Sequence, residues 1–487
     1  MRRLALLAVA LACAPVAPAV GLERVAAVVH VHSDLSTGEL PLEALAADAE
    51  RQGLGALLLA ENYLLRIEYG LPPFRALTRV VRAERSVLDG GAAAYLDRVR
   101  AVQVRHPGVL LLPGVEVLPH YTWTGSPLAL EMTVHDTQKN LLVFGLTDPG
   151  TLAALPAVHN RQPGVYAWQS VLDALPVLLV VPGILLLARR RRRLRRVGRA
   201  VVVVRRRRWL AGGLACALGV AALVRGWPFT AEPYPPYAAL GLTPHQDLIA
   251  WVERHGGVTV WSLPEARDEG ERWVGPVRVA WQTEPYADDL LRTARWTAFG
   301  AIYEDTTRFE RPGERWDRLL AEYAAGERSR PGWALGESGF HGLSGGQRLA
   351  SIQTVFLAGE RSARGLLQAL ARGRMYALQR VPTAGLVLAE FSVSGAGVTA
   401  ESGDTLRAAA GTPLEVRLAV EPDGAGPPEI RVTLVRTGAV VGAWSGPAPL
   451  RVVHREVFDG APTYFRVDAR GPAPHRLLTN PVFVRQP

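Results

Sequence analysis

Short apolar runs alternate with amphipathic ones along most of the chain. Residues 24–31 (RVAAVVHV) predict a buried strand. A helix follows from the Pro41 region to Gly53, with Leu42, Leu45, Ala46 and Ala49 on one face. Residues 56–60 predict the next strand, about 74–105 a long helical region, and 108–117 and 140–146 two further strands. The alternation resumes after residue 228, with helices over 244–255, 287–293 and 315–325 and strands over 257–262, 297–303 and 332–335. Such a pattern predicts an α/β architecture with a parallel sheet, either closed into a barrel or open. From about residue 389 the period becomes two. The runs 414–422, 430–438 and 463–471, separated by Gly/Pro turns, predict a β-sandwich.

Two runs break this pattern. Residues 166–188 and 209–224 are apolar almost throughout, and each approaches the roughly 20 residues that cross a bilayer. Between them, residues 189–208 hold twelve arginines and no acid, with Trp209 and Trp227 placed for the two interfaces. An arginine-rich loop between apolar helices is what a cytoplasmic connection looks like, and the polar positions of a soluble helix are missing. The chain opens MRRLALLAVALACAPVAPAVG, a positive start, an apolar stretch and an Ala-Pro-Ala cleavage signal. A lipoprotein site at Cys13 and an uncleaved anchor are the alternatives. The expected division is a signal peptide over 1–20, a first barrel half over 21–165 and a transmembrane hairpin over 166–227. A second barrel half over 228–382 and a sandwich over 383–487 complete it. Both soluble parts then face the periplasm from the inner membrane.

Charge alters little beyond this. The formal +10 comes from 55 Lys+Arg against 45 Asp+Glu, and without the arginine segment the remainder is slightly acidic, so nucleic acid is not an expected partner. The only cysteines, Cys13 and Cys216, lie in apolar stretches and exclude a disulfide framework or a cysteine zinc site.

The chemistry begins at His30-Val31-His32, where an i, i+2 pair on a strand points two imidazoles to one face and toward one metal ion. The stretch HVHSDLSTGELPLEALAADAERQGLGALLLAEN, the 112–117 segment with Glu116, and Gly339-Phe340-His341 resemble motifs of the PHP (polymerase and histidinol phosphatase) family. The resemblance extends to Trp316-Asp317-Arg318-Leu319-Leu320, Gly373-Arg374-Met375-Tyr376 and Asn480-Pro481-Val482-Phe483-Val484. It implies a distorted (β/α)7 barrel, a metal cluster at the carboxyl ends of the strands, and phosphoester hydrolysis. It further implies metal ligands at His30, His32, Glu116 and His341. Five of the family's nine ligand positions are replaced, by Thr37, Asn62, Asn140, Leu263 and Gly339. What remains suits one divalent ion, Zn²⁺, Mn²⁺ or Fe²⁺.

Asp34, Glu61, Asn62, Asn140 and Glu304 are candidates to line the same mouth, as are His120 and His135. Three functions are compatible with these residues. The expected one is a pseudoenzyme that binds a ligand or envelope partner at an eroded metal site, and the other two are its alternatives. The second is a single-metal phosphoesterase using His30, His32 and Glu116, and the third an envelope scaffold that works through its sandwich.

Overall fold

The computed structural model describes residues 22–304, 307–426 and 429–487. The signal-sequence expectation lies outside them. We number the strands that build the site: β1 (Glu23–Val31), β2 (Ala56–Leu59), β3 (Leu110–Leu112), β4 (Gly114–Val117), β5 (Leu141–Phe144), β6 (Val258–Trp261), β7 (Ala298–Ile302) and β8 (Trp333–Gly336). β3 and β4 are one extended run broken at Pro113, which has no amide hydrogen to donate. β1, β2 and β3 pair in parallel, as do β6, β7 and β8.

The ladder then returns to its start. Beyond β8, Ser338 N donates to Val29 O, Phe340 N donates to His30 O and His32 N donates to Phe340 O, each at 2.9 Å. The result is a mixed α/β fold in which the ends of β1, β2, β4 and β8 share one neighbourhood.

Three local expectations are corrected and one sheet is added. The sheet is not wholly parallel, because β5 runs antiparallel to both β4 and β6. The β4–β5 connection carries a strand pair, Thr122–Ser126 with Glu131–His135, where a parallel return would need a helical crossover. The long helix expected over 74–105 keeps its second half only, as Ala92–Arg105. Upstream, Val80–Ala83 pairs antiparallel with Arg66–Tyr69, and Gly91 at φ +86° breaks any helix from Val87–Gly90. The arginine-rich segment is not an open loop. Arg190–Val197 and Ala200–Arg207 form an antiparallel ribbon turning at Gly198 and Arg199. Finally, a four-stranded sheet that periodicity does not reveal joins Asp268–Val274 and Val277–Thr283 to the 122–135 pair.

The apolar segments form two helices, Trp168–Ala188 and Trp209–Gly226, long and apolar enough to cross a membrane. They touch backbone to backbone. A Cβ on Gly183 would lie 2.8 Å from Cys216 N, one on Gly212 2.9 Å from Gly183 O, and one on Gly219 2.9 Å from Val180 N. Small residues at a helix crossing permit such an approach. Leu178, Ile184, Leu214 and Val224 point outward and are exposed.

The C-terminal strands share a sheet with β1. β1 pairs with Ile352–Ala358, that strand with Met375–Gln379, and the ladder runs on through Arg476–Thr479 to Thr463–Arg470. Ala384–Gly395, Pro413–Gly424 and Leu450–Val457 make the facing layer, over a core that includes Leu386, Val416, Val432 and Val467. Two motifs singled out in the sequence fasten the halves. The fully buried Arg466 grips Asp317 through two bonds of 2.7 and 2.6 Å, with Tyr464 Oη donating to the same carboxylate. Asn480 holds Ala334 N and O together with Met375 O.

Removing one partner of a buried ion pair strands the other charge, at a cost of about 3–5 kcal/mol. Arg466→Ala is therefore expected to lower the unfolding free energy of the full chain by that amount in a denaturant titration. An unchanged midpoint would show that the pair does not fasten the two parts.

Candidate metal centre

β1 is hydrophobic from Val25 to Val29 and turns polar at His30. Its pairing with β2 slips between Val29 and Val31, and His30 occupies the left-handed region at φ +70°. This bulge, rather than plain strand alternation, aims the first imidazole at the second. His30 Nε2 and His32 Nε2 lie 3.0 Å apart, and each is 3.5 Å from one oxygen of Glu116, which projects from β4. Among the described residues these three form the group whose donors converge as metal ligands do. Donors spaced this way surround a point about 2 Å from each, the length of a zinc–nitrogen or zinc–oxygen bond.

The other nitrogen of each ring is engaged. His30 Nδ1 donates to Glu337 Oε1 at 2.7 Å. His32 Nδ1 reaches Ser36 Oγ at 3.3 Å, and that hydroxyl donates to Glu61. One imidazole is thus oriented by a carboxylate directly and the other through a hydroxyl. This outer arrangement fixes the tautomer and frees Nε2 for a metal. Glu337 is itself anchored by Ser262 Oγ (2.6 Å) and Leu263 N (3.0 Å). It fits only because residue 300 is glycine, as a Cβ there would overlap its carboxylate. Gly38 is required for a similar reason, since a Cβ would collide with the His32 carbonyl.

Electrostatics within the ligand set follow from this packing. Burial opposes charge on His30, yet the Glu116 and Glu337 carboxylates raise its pKa to about 10. Burial, with His30 and His341 nearby, holds His32 well below the imidazole range despite Glu116. Burial works against charge on Glu116 too, but the two imidazoles outweigh it and bring the carboxyl down to about 2. Glu61 is pushed up to about 7 by burial, opposed by the donors of Ser33 and Ser36.

The remaining expected residues divide. His341 stands outside the converging three. Its ring stacks on His32, with centroids 4.1 Å apart and planes 9° from parallel, and its Nδ1 pairs with Thr37 Oγ1 at 3.3 Å. Asn62 donates to the same threonine at 2.9 Å. Asn140 donates to Glu116 Oε1 at 2.9 Å and keeps a buried Oδ1 without a hydrogen-bond partner. Asp34 faces the first amide of the helix Leu42–Arg51, and Glu304 is exposed. His120 Nε2 meets Pro235 O at 3.2 Å and His135 Nε2 meets Thr124 Oγ1 at 2.8 Å, both away from the centre. Ser33, Ser36, Ser262 and Glu337 were missed. Glu337 had one available signal, an acid directly after the apolar run WALG that forms β8.

No protein-family model and no curated protein matches the chain. Among solved structures it is similar to a two-domain protein containing a predicted PHP-like metal-dependent phosphoesterase from Bacteroides vulgatus. That likeness has 11% identity and a TM-score of 0.35, covering 92% of this chain and 91% of the other. A protein described as a metal-dependent phosphoesterase from Bifidobacterium adolescentis is similar at 15% identity and a TM-score of 0.29, covering 66% of this chain and 90% of its own. What the site can do follows from its own donors.

A metal must displace the proton that His30 holds below about pH 10. Apparent zinc affinity, read by competitive titration, is expected to rise about tenfold per pH unit between about pH 6 and 9. Glu337→Gln should weaken binding about 10–100-fold and flatten that slope, because it removes a charge that keeps His30 protonated. A pH-independent affinity would place the metal elsewhere.

Proposed function

We propose that the chain is a membrane-anchored hydrolase of phosphoesters that works with one divalent metal held by His30, His32 and Glu116. The observation that carries this reading is pre-orientation. Both Nδ1 atoms are committed to outer partners, while both Nε2 atoms face a point shared with Glu116. The ladder that closes on β1 supports a distorted (β/α)7 barrel of the PHP type, with the ligands at one mouth.

The donor set of two imidazoles and one carboxylate suits Zn²⁺, Mn²⁺ or Fe²⁺, and the unpartnered Asn140 Oδ1 adds an acceptor beside it. When bound, such an ion polarises a phosphoryl oxygen and lowers the pKa of a water. The chain's own groups do the rest. Glu337 and the Ser36–Glu61 pair hold the imidazoles in place. His341, exposed and stacked on His32, with its pKa lowered by partial desolvation and by His30 nearby, is the group placed to carry a proton to or from substrate.

A second reading has its own observation. The replaced positions Thr37, Asn62, Asn140, Leu263 and Gly339 leave only neutral amide and hydroxyl oxygens where a second ion needs charged or imidazole ligands, which argues against a clamp on attacking and leaving oxygens. That favours a binding module without turnover. Metal analysis and assay of the full chain in lipid nanodiscs separate the two. About one ion per chain, its loss in His32→Ala, and hydrolysis of an aryl phosphoester that a chelator abolishes are expected. One ion without turnover of phosphate mono- or diesters would favour the binding module, and no bound ion would refute the metal centre.

The anchor is the helix pair Trp168–Ala188 and Trp209–Gly226, with the arginine ribbon on the cytoplasmic side and the remainder periplasmic. A reporter inserted between Gly198 and Arg199 is expected to behave as cytoplasmic. Periplasmic behaviour would overturn this orientation.

A further inference from the structure

A cavity of about 520 Å³ lies between the Arg66–Tyr69/Val80–Ala83 strand pair and the four-stranded sheet. Its volume falls within the about 300–1,000 Å³ of small-molecule sites. Leu65, Ile67, Tyr69, Trp123, Val279 and Trp281 make its walls, which are mostly apolar.

One end reaches the metal centre. Gln138 lines the cavity, Asn140 Nδ2 lies 3.4 Å from Gln138 Oε1, and the same Nδ2 donates to Glu116. Two side-chain amides, Gln138 and Asn140, therefore link the cavity to a metal-ligand carboxylate. Another part of its wall reaches the apolar helices. Leu71, Thr78 and Val80 line the cavity, and in the intervening turn Leu77 O accepts from Arg225 Nη1 at 3.3 Å, at the end of the helix Trp209–Gly226. Leu71 and Val80 are exposed there, as is Trp273 on the sheet.

We propose that this cavity holds the alkyl tail of an amphiphilic phosphoester drawn from the bilayer, placing its phosphate at His30, His32 and Glu116. The inference deepens the hydrolase reading and rests on it for the headgroup. Three observations select a lipid tail over a soluble apolar molecule. The walls are mostly apolar, the end nearest the metal ligands is lined by the Gln138 amide, and the wall-forming segment is docked on a helix read as membrane-spanning. Burying a methylene improves affinity about fourfold, so tail length is the variable to test.

The experiment uses the zinc-loaded full chain in lipid nanodiscs, with butyl and dodecyl phosphate as probes and calorimetric titration as the readout. Dodecyl phosphate is expected to bind at least about 100-fold tighter than butyl phosphate. Val279→Trp, which fills the cavity, should reduce that preference to about threefold or less while leaving zinc content and butyl phosphate binding unchanged. Met132→Trp, on the neighbouring strand, replaces it if Val279→Trp loses its zinc. Equal affinity for the two probes, or a preference that survives cavity filling in a zinc-retaining variant, would overturn the inference. Hydrolysis of short phosphoesters without tail preference would remove the lipid inference and keep the hydrolase. Cavity-dependent tail preference without turnover would keep the cavity assignment and remove the hydrolase.

Discussion

Two imidazole nitrogens 3.0 Å apart in a buried pocket need a positive charge between or upon them. Glu61, Glu116 and Glu337 surround that pair, and all three carboxylates are largely withdrawn from water. Buried carboxylates are costly unless a cation or several donors compensate them. A proton on His30 supplies one charge, and serine hydroxyls and backbone amides donate hydrogen bonds to the carboxylates. A divalent ion would satisfy the same electrostatic demand with a larger charge at the same point. The constraint explains why residues far apart in sequence are so tightly specified, among them Gly300, whose missing side chain leaves room for Glu337.

The scaffold holds this geometry by placing the ligands on a shared ladder. β1 sits between β2 and Ile352–Ala358 within one sheet, and backbone bonds beyond β8 clasp His30 and His32 from the other side. The sandwich continues that sheet, so it buttresses the ligand strand. Asp317–Arg466 and Asn480 lock the two parts at positions remote from any chemistry. Sites built on rigid elements with engaged outer partners are more exact than sites on free loops.

Much of this was legible in the sequence, for physical reasons. The runs at 24–31, 56–60 and 297–303 are apolar on both faces, as strands covered on two sides must be, and the His-Val-His at the end of the first marks the site. Glu116 was legible through the resemblance, as the acid of Gly114-Val115-Glu116 at the end of the 108–117 run. The groups that orient the ligands were not, because Ser33, Ser36 and Ser262 carry no periodicity and their partners lie 25 to 75 residues away. The antiparallel course of β5 depends on a connection built from strands too polar to stand out. Likewise the sequence pattern assigns no element to 268–283, because its hydrophobic residues face a cavity and not a continuous core. His341 was legible as a site residue, but its stacking on His32 is a tertiary fact that spacing cannot encode.

X-ray absorption by the zinc-loaded chain probes the central geometry most directly. Two imidazole nitrogens and carboxylate oxygen at about 2.0–2.2 Å are expected, falling to one imidazole in His30→Ala. An all-oxygen shell, or a shell unaltered by that substitution, would contradict a centre made by His30, His32 and Glu116.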